Sequence, residues 1–419
     1  MTAQKLQAVR GMNDVLPQDS GAWQRVETAL REVARAYGYR EIRTPLVERA
    51  ELFTQSIGGA TDIVEKEMYV FGAADERLAL RPEATASTVR ACNQHGLLHN
   101  RQQRLWYLGA MFRRERPQKG RYRQFHQFGV EAFGWPGPDI DAEVIRLGAR
   151  VWERLQIGGL RLQLNTLGSP QTRRAYREAL REYFSGQRAH LDADSVRRLE
   201  SNPLRILDSK VDATVEIAAG APDITGFLDA DARAHFDGLC DSLRRFGLKF
   251  EINPRLVRGL DYYTGAVFEW LADDGLGAQN AVCAGGRYDQ LVEQRGGRPT
   301  PAVGFAMGVE RLVELAERAA PETPAPTDIY VLSADDDGGE AADISESLRR
   351  AGFAVTTHCG GGQLKRQMKR ADQSGARLAV IAGLEGAGTA RIKPLRSGGE
   401  QVRLGVDALV DWCRDHISA

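Results

Sequence analysis

The sequence predicts an α+β protein built as two domains. An aromatic- and glycine-rich sheet flanked by helices, with a mostly helical insert at about 168–249, occupies residues 1–325. A small α/β domain occupies 326–419. Three observations predict this. Leu105–Phe112 and Gln124–Phe133 read as two strands, the second alternating Phe125, Gln127, Gly129 and Glu131 against His126, Phe128, Val130 and Ala132. From about Gly168 to Lys249, Arg, Glu and Ala rise and strand-like runs vanish. After the proline-rich PETPAP, Pro321 to Pro326, strand and helix patterns alternate, which argues for a small sheet with covering helices.

In chain order, an irregular segment containing RGMNDVLP precedes a helix over Gln18–Tyr37. Its apolar stripe is Trp23, Val26, Leu30, Val33 and Tyr37, at spacings of three and four. Gly38 suits the helix C-terminus. In Tyr39–Phe53, Thr44-Pro45 interrupts the run, and Pro lacks a ladder donor, so an edge strand is expected, open to a subunit partner. Lys66–Phe71 and Arg77–Leu80 read as short strands. RPEATA then leads into a helix from about Ala84 to Gly96, with Pro82 suited to its start. Glu83 and Thr85 at this junction are either helix-capping groups or ligands for an amine. Ile140–Leu155 is a helix, Leu160–Leu164 a strand, and Phe250–Val257 a return to strand. Arg258–Glu269, Ala278–Asp289 and Pro301–Leu312 resume a Gly-rich sheet pattern. In the second domain, DIYVLSA, FAVTTH and RLAVIAG are strands. Gly338–Ala351, Gln363–Gln373 and Val406–Arg414 are helices.

Between the two aromatic strands lie Arg113, Arg114, Arg116, Lys119, Arg121 and Arg123, with Glu115 as the only acid. The loop is longer than an ordinary hairpin turn. It either faces a polyanion or is a solvated surface loop. On Gln363–Gln373, Lys365 with Lys369 and Arg366 with Arg370 stand four apart and make a basic face, solvated or RNA-facing.

The 419 residues carry 56 Lys plus Arg against 56 Asp plus Glu. Any phosphate contact must therefore come from local patches and not from a global field. Five scattered cysteines without Cys-x-x-Cys spacing argue against a disulfide framework or a cysteine zinc site. No leader pattern or run of about 20 apolar residues is present, so a cytoplasmic protein without a membrane partner is expected. The chain has no phosphate loop, dinucleotide fingerprint or Gly-x-Ser-x-Gly elbow. A nucleotide would have to be held by side chains. Arg113, Arg258 and Arg311, each in a context where a solvated arginine would be odd, are the candidates. Their planar forks suit phosphate oxygens.

Arg113–Glu131 resembles the second signature motif of class II aminoacyl-tRNA synthetases, Tyr39–Glu48 the first and Gly304–Leu312 (GFAMGVERL) the third. Arg258-Gly-Leu-Asp-Tyr-Tyr and Ala284-Gly-Gly-Arg-Tyr-Asp resemble the two peptides that distinguish histidyl-tRNA synthetases, and the similarity spans nearly the whole chain. The resemblance implies an antiparallel sheet flanked by helices, a homodimer joined through the first motif, and a C-terminal anticodon-binding domain. It implies ATP with Mg²⁺, L-histidine and a histidine tRNA as ligands. Arg113 and Arg258 would be catalytic, at the ATP α-phosphate. Glu115 and Phe125 would hold the adenine and Arg311 the γ-phosphate. Glu83, Thr85, Gln127, Glu131, Tyr263 and Tyr288 would surround histidine, and Arg116 and Gln118 would meet the tRNA acceptor end. The family often has Gly where this chain has Ala84. The rival reading is a non-catalytic paralogue serving as a regulatory subunit in histidine biosynthesis. The presence of all three arginines and of a C-terminal domain disfavours it.

Overall fold

The computed structural model describes residues 6–417 apart from 59–60, 74, 274–275, 277–279, 321–326, 335–337, 385 and 397. The PETPAP linker, the 325/326 boundary and Ala278 lie outside the described residues. The chain separates into two compact units, Met1–Pro321 and Glu322–Ala419.

Helix α1 (Pro17–Ala36) buries Val26, Leu30 and Val33, while Trp23 and Tyr37 pack at the margin of the same core. Gly38 follows it at φ +76°, the left-handed conformation that glycine adopts without penalty. The Thr44-Pro45 interruption splits the next segment between two sheets. Strand β1 (Arg40–Glu41) pairs in parallel with the edge of the main sheet, while β2 (Val47–Arg49) joins a separate sheet of order β2-β4-β3, with β3 at Tyr69–Phe71 and β4 at Leu78–Leu80. Helix α2 (Ala50–Ile57) and a π-helical turn at Ile63–Glu67 come between, so Lys66 and Glu67 are helical and not strand. Helix α3 (Thr85–Gln94) follows RPEATA.

The main sheet is formed by β1, β5 (Gln103–Phe112), β6 (Gln124–Phe133), β7 (Leu160–Thr166), β8 (Glu251–Ile252), β9 (Ala266–Ala272), β10 (Ala281–Arg287) and β11 (Ala302–Gly308). Its order is β1-β5-β6-β11-β10-β9-β7-β8, antiparallel throughout the middle and parallel only at the two outer pairings. The aromatic hairpin is unbroken from Gln103↔Phe133 to Phe112↔Gln124. One sheet face is covered by α1, α4 (Pro138–Leu155) and two later helices. Phe128, Val130 and Ala132 of β6 sit in that core, as the alternation predicted.

The helical insert contains α5 (Pro170–Gly186), α6 (Ala193–Ser201), α7 (Asp212–Ala219) and α8 (Ala230–Arg245), with 3₁₀ turns between them. Its last helix is not peripheral: Phe236, Leu239, Cys240 and Leu243 of α8 pack in the main core, against α4. FEINPRLV differs from expectation. Only Glu251–Ile252 is strand, both exposed. The Asn165 amide then donates to the carbonyls of Pro254 (3.2 Å) and Leu256 (2.9 Å) and turns the chain away from the sheet. RGLDYY is accordingly a loop. A short helix α9 (Leu291–Gln294) and the amphipathic α10 (Val309–Ala319) complete the unit.

The second unit has β12 (Ile329–Ser333), α11 (Gly339–Arg350), β13 (Val355–Thr357), α12 (Leu364–Gln373), β14 (Leu378–Ala382), β15 (Thr389–Pro394), β16 (Val402–Gly405) and α13 (Val406–Ile417). The sheet order is β13-β12-β14-β15-β16, parallel for the first three strands. The antiparallel β15 and β16 were not predicted. TARIKP and VRLG bury little, chiefly Ala390 and Ile392, so their apolar pattern is faint.

Register on the open face of the main sheet matters most for function. Gly129 of β6 lies opposite Tyr107 of β5 and Ala306 of β11, which lies opposite Ala284 of β10, which lies opposite Glu269 of β9. In the next row on this face, Glu131 lies opposite Gly304, and Gly304 opposite Gly286. The middle of this surface is thus floored by Gly and Ala. A Cβ at Gly304 would overlap the Glu131 carboxylate, and one at Gly129 would overlap the Tyr107 ring. Gly304→Val should therefore lower thermal stability by about 1–3 kcal/mol, the usual cost of overpacking. Gly158→Ala, with no heavy atom within 4 Å of its added carbon, should change it little. Unfolding midpoints of the two variants check this, and equal midpoints would count against the register argument.

Candidate active site

Above the Gly/Ala floor is a cavity of about 270 Å³. Its polar end is built on Glu131, a carboxylate only 1% exposed. Thr85 Oγ1 donates to one Glu131 oxygen at 2.7 Å, and the Tyr288 hydroxyl donates to the other. Burial dominates its chemistry and raises its pKa from 4.5 to about 8, against the two hydroxyls that favour the charged form. Glu83, also buried, accepts the backbone N–H of Thr85 (2.7 Å) and Ala86 (3.0 Å). It thereby satisfies two of the orphan donors of α3 while lining the cavity. The capping reading is met, and the same carboxylate lines the cavity. Ala84 has φ −119°, ordinary for an L-residue, and its methyl is buried against Tyr107 and Met111. The departure from Gly costs nothing visible.

Tyr262, Tyr263 and Tyr288 form an aromatic cluster at this end, with ring centroids 4.8 to 6.5 Å apart. The Gln127 Oε1 and the Tyr107 hydroxyl are buried with no hydrogen-bond partner among the described residues. A pocket of this kind offers carboxylates, a hydroxyl and an amide carbonyl within aromatic walls. It suits a small cation with a polar ring, and its idle acceptors are costly until a ligand satisfies them.

The other end is cationic. Arg113 Nε donates to the Pro82 carbonyl at 2.9 Å, and its guanidinium lies 5.3 Å from the Phe125 ring centroid. Arg258 donates to Glu269 Oε1 at 2.9 Å. Burial opposes the charge of Arg258, but the Glu269 carboxylate and the neighbouring Tyr263 outweigh it and hold its pKa above the usual guanidinium value. Arg311 Nε donates to the Gly120 carbonyl at 3.0 Å, and its terminal nitrogen to that of Ala281. Burial and then the nearby charges of Arg121 and Arg113 push the Arg311 pKa down. Buried guanidiniums that weaken one another's charge are a receptor for an anion.

All of Glu83, Thr85, Arg113, Glu115, Phe125, Gln127, Glu131, Arg258, Tyr263, Tyr288 and Arg311 line this one cavity. Arg116 and Gln118 do not. Both are exposed on the basic loop, where Gln118 exchanges backbone hydrogen bonds with Arg121 in a tight turn. The loop is only partly solvated: Arg121 pairs with Glu115 and Glu67, and Arg123 donates to the carbonyls of Glu115 and Arg10. Sequence reasoning missed Tyr107, Arg121 and Glu269 as cavity residues. Glu269 alone carried a signal, as a lone carboxylate inside the apolar strand AVFEWLA.

Two family models cover the chain: histidyl-tRNA synthetase over residues 11–312, and an anticodon binding domain over 328–416. The sequence is 54% identical to a histidine–tRNA ligase of Dechloromonas aromatica (strain RCB), over 98% of this chain and 97% of that one. The chain belongs to the histidyl-tRNA synthetase family. Among solved structures it is similar to the apo histidyl-tRNA synthetase of S. aureus, with a TM-score of 0.81 at 33% identity over 98% of this chain and all of that one. An ATP phosphoribosyltransferase regulatory subunit/histidyl-tRNA synthetase from Bacillus halodurans C shares the fold at TM-score 0.64, with 24% identity over 87% of this chain and 96% of that one. The class II fold of histidyl-tRNA synthetases is the observed architecture, and the regulatory paralogue is disfavoured by the closer, full-length likeness to a ligase.

The raised pKa of Glu131 in this synthetase has a stability consequence. A carboxyl whose folded pKa lies above its unfolded one contributes stability below the unfolded value and loses it as pH rises through about 8. The unfolding midpoint of the ligand-free protein should fall as pH rises from about 4.5 to about 8 and level off above that. It should fall less in Glu131→Gln, which has no proton to lose. Parallel profiles for the two proteins would refute the buried-acid assignment.

Proposed function

We propose that this synthetase charges a histidine tRNA in two steps, forming histidyl-adenylate from L-histidine and ATP and then passing the histidyl group to the tRNA 3′ end. The observation that carries the reading is the single cavity that holds both an ammonium-and-imidazole end and a three-arginine end. The histidine ammonium would be taken by Glu131 and Glu83, with Thr85 and Gln127 completing the set. Its imidazole would lie against Tyr263 and Tyr288. Specificity then follows from unpaired groups: an apolar amino acid would leave the buried acceptors idle.

The histidine carboxylate is already ionised at neutral pH, so the first step needs no general base. It attacks the α-phosphorus in line. An O–P bond forms and the bond to the pyrophosphate leaving group breaks. Arg113 and Arg258 would neutralise charge at the α-phosphate, Arg311 would hold the γ-phosphate, and Phe125 with Glu115 would hold the adenine. Positioning and pre-set charge are enough for most of phosphoryl-transfer catalysis. Among the described residues, no group of three or more His, Cys, Asp or Glu could hold a metal by itself. Mg²⁺ normally keeps waters and phosphates and takes one or two protein carboxylates. Glu269 and Glu310, beside Arg258 and Arg311, fit that demand and would hold the ion, whose charge would offset that of the phosphates.

The tRNA readings rest on surface placement. Arg116 and Gln118 stand on the loop tip for the acceptor end, and Lys365, Arg366, Lys369 and Arg370 are exposed on α12. The first-motif edge at β1 is the proposed homodimer seam. No described helix is long and apolar enough to cross a membrane.

ATP–pyrophosphate exchange should require histidine, and exchange driven by another amino acid would overturn the assignment. Arg258→Ala should cut that exchange by about 10²–10³-fold, the usual loss when one transition-state donor is removed. A folded variant that exchanges normally would remove Arg258 from the chemistry. Replacing Lys365 and Lys369 with Glu should raise KM for tRNA several-fold and leave exchange unchanged; steady-state charging at varied tRNA decides this.

A further inference from the structure

A second cavity, of about 470 Å³, lies on the other side of the RGLDYY loop. Arg258, Leu260 and Tyr263 line both cavities, so this loop is a shared wall. The second cavity is lined by five arginines, Arg173, Arg174, Arg177, Arg205 and Arg258, and by one carboxylate, Asp261. Asp261 is engaged by Arg205 at 3.3 Å, and Arg258 by Glu269. Among the described residues no carboxylate is within ion-pair distance of Arg173, Arg174 or Arg177, all on the first two turns of α5. Arg173 and Arg177 stand four apart, where like charges repel. The Arg173 pKa is pushed down by burial and then by the charge of Arg177. Its Nε is buried with no partner, while its two terminal nitrogens donate to the Tyr263 carbonyl (2.9 Å) and to Gln290 Oε1 (3.3 Å). Arg177 donates one nitrogen to the Ser201 carbonyl, and the Arg174 side chain makes no hydrogen bond among the described residues.

We propose that this cavity is a binding site for a phosphate-class anion, separate from the ATP phosphates. Arg173, Arg177 and Arg205 form its base and Arg174 its rim. Arg173, Arg174 and Arg177, without counter-ions among the described residues and beside the paired Arg205, cost free energy that phosphate oxygens offset with charge-assisted hydrogen bonds. Arg173 gives the site a consequence. It grips the anion on one side and the Tyr263 backbone on the other, so occupancy stiffens the wall of the histidine pocket. A free phosphate and a phosphodiester group of the tRNA present the same chemistry and differ in source. The proposal goes beyond the roles assigned above, none of which falls on α5.

The test is calorimetric titration of inorganic phosphate into the full-length protein saturated with histidine and a non-hydrolysable ATP analogue, so that the first cavity is filled. One phosphate should bind, more weakly at high salt. Arg174→Glu and Arg177→Ala should each weaken it by at least about 10-fold and leave binding of the ATP analogue unchanged. Arg174→Glu removes no side-chain hydrogen bond or ion pair among the described residues, and its unfolding midpoint, expected to match the wild type, separates loss of binding from unfolding. No phosphate binding to the loaded wild type, or undiminished binding in both variants, overturns the proposal. Failure of the analogue to bind would instead count against the charging reading. With phosphate binding lost in the variants, an unchanged KM for tRNA assigns the site to free phosphate. A KM raised in parallel, with exchange intact, assigns it to the tRNA backbone.

Discussion

The structure depends on burying Glu131 next to a strand that has no side chain to spare. A carboxylate taken out of water is costly unless it is neutralised or strongly hydrogen-bonded. Here the sheet register decides how it is accommodated. Gly304 opposite Glu131 leaves the volume, Thr85 at the start of α3 offers one donor, and Tyr288 just past β10 offers the other. Three separate chain segments therefore converge on one side chain. The remaining energetic debt shows as the raised pKa, and an ammonium placed there would relieve it. The pocket is in this sense tuned to a cation and not to itself.

The arginine end follows the same logic with the opposite sign. Arg113, Arg258 and Arg311 are held by backbone carbonyls and by two carboxylates, Glu115 at 3.8 Å from Arg113 and Glu269 at 2.9 Å from Arg258, contacts that orient the forks. Glu310 links the two ends. Its oxygens accept the His126 backbone N–H at 2.8 and 3.0 Å, and one lies 3.0 Å from His126 Nδ1. His126 sits between Phe125 and Gln127 on β6, while Glu310 precedes Arg311 on α10. Phe125, Gln127 and Arg311, the proposed contacts for adenine, histidine and the γ-phosphate, are thus clamped together. Preorganised donors of this kind cost little reorganisation when charge develops.

Much of this was legible because it repeats. Period-two alternation in Gln124–Phe133 separated core from cavity residues correctly, and Pro45 marked the split between β1 and β2. What stayed hidden had no period. RGLDYY bends because Asn165, far away in sequence, holds two carbonyls of the preceding segment. Tyr107 became a cavity residue only when Gly129 was placed opposite it. The helix α8 looked like part of an insert, yet its apolar stripe completes the main core beside α4. β15 and β16 bury too few side chains to carry a signal. The dual role of Glu83 could not be resolved locally, since capping and ligand contact use different faces of one carboxylate.

A net charge of zero across the whole chain coexists with a strongly basic second cavity and with a first cavity that sets four arginines against five glutamates. Surface pairs such as Arg154 with Glu32 or Arg161 with Asp273 contribute little to stability, but they neutralise the exterior. Phosphate attraction is then confined to where the guanidiniums are buried and short of partners. A long-range positive field would draw any nucleic acid. Local, desolvated clusters respond only to an anion that fits, and an anion bound there exchanges water for several fixed donors at once. Selectivity for a phosphorylated ligand thus rests on burial and geometry, the two properties that the Gly/Ala floor and the RGLDYY wall control.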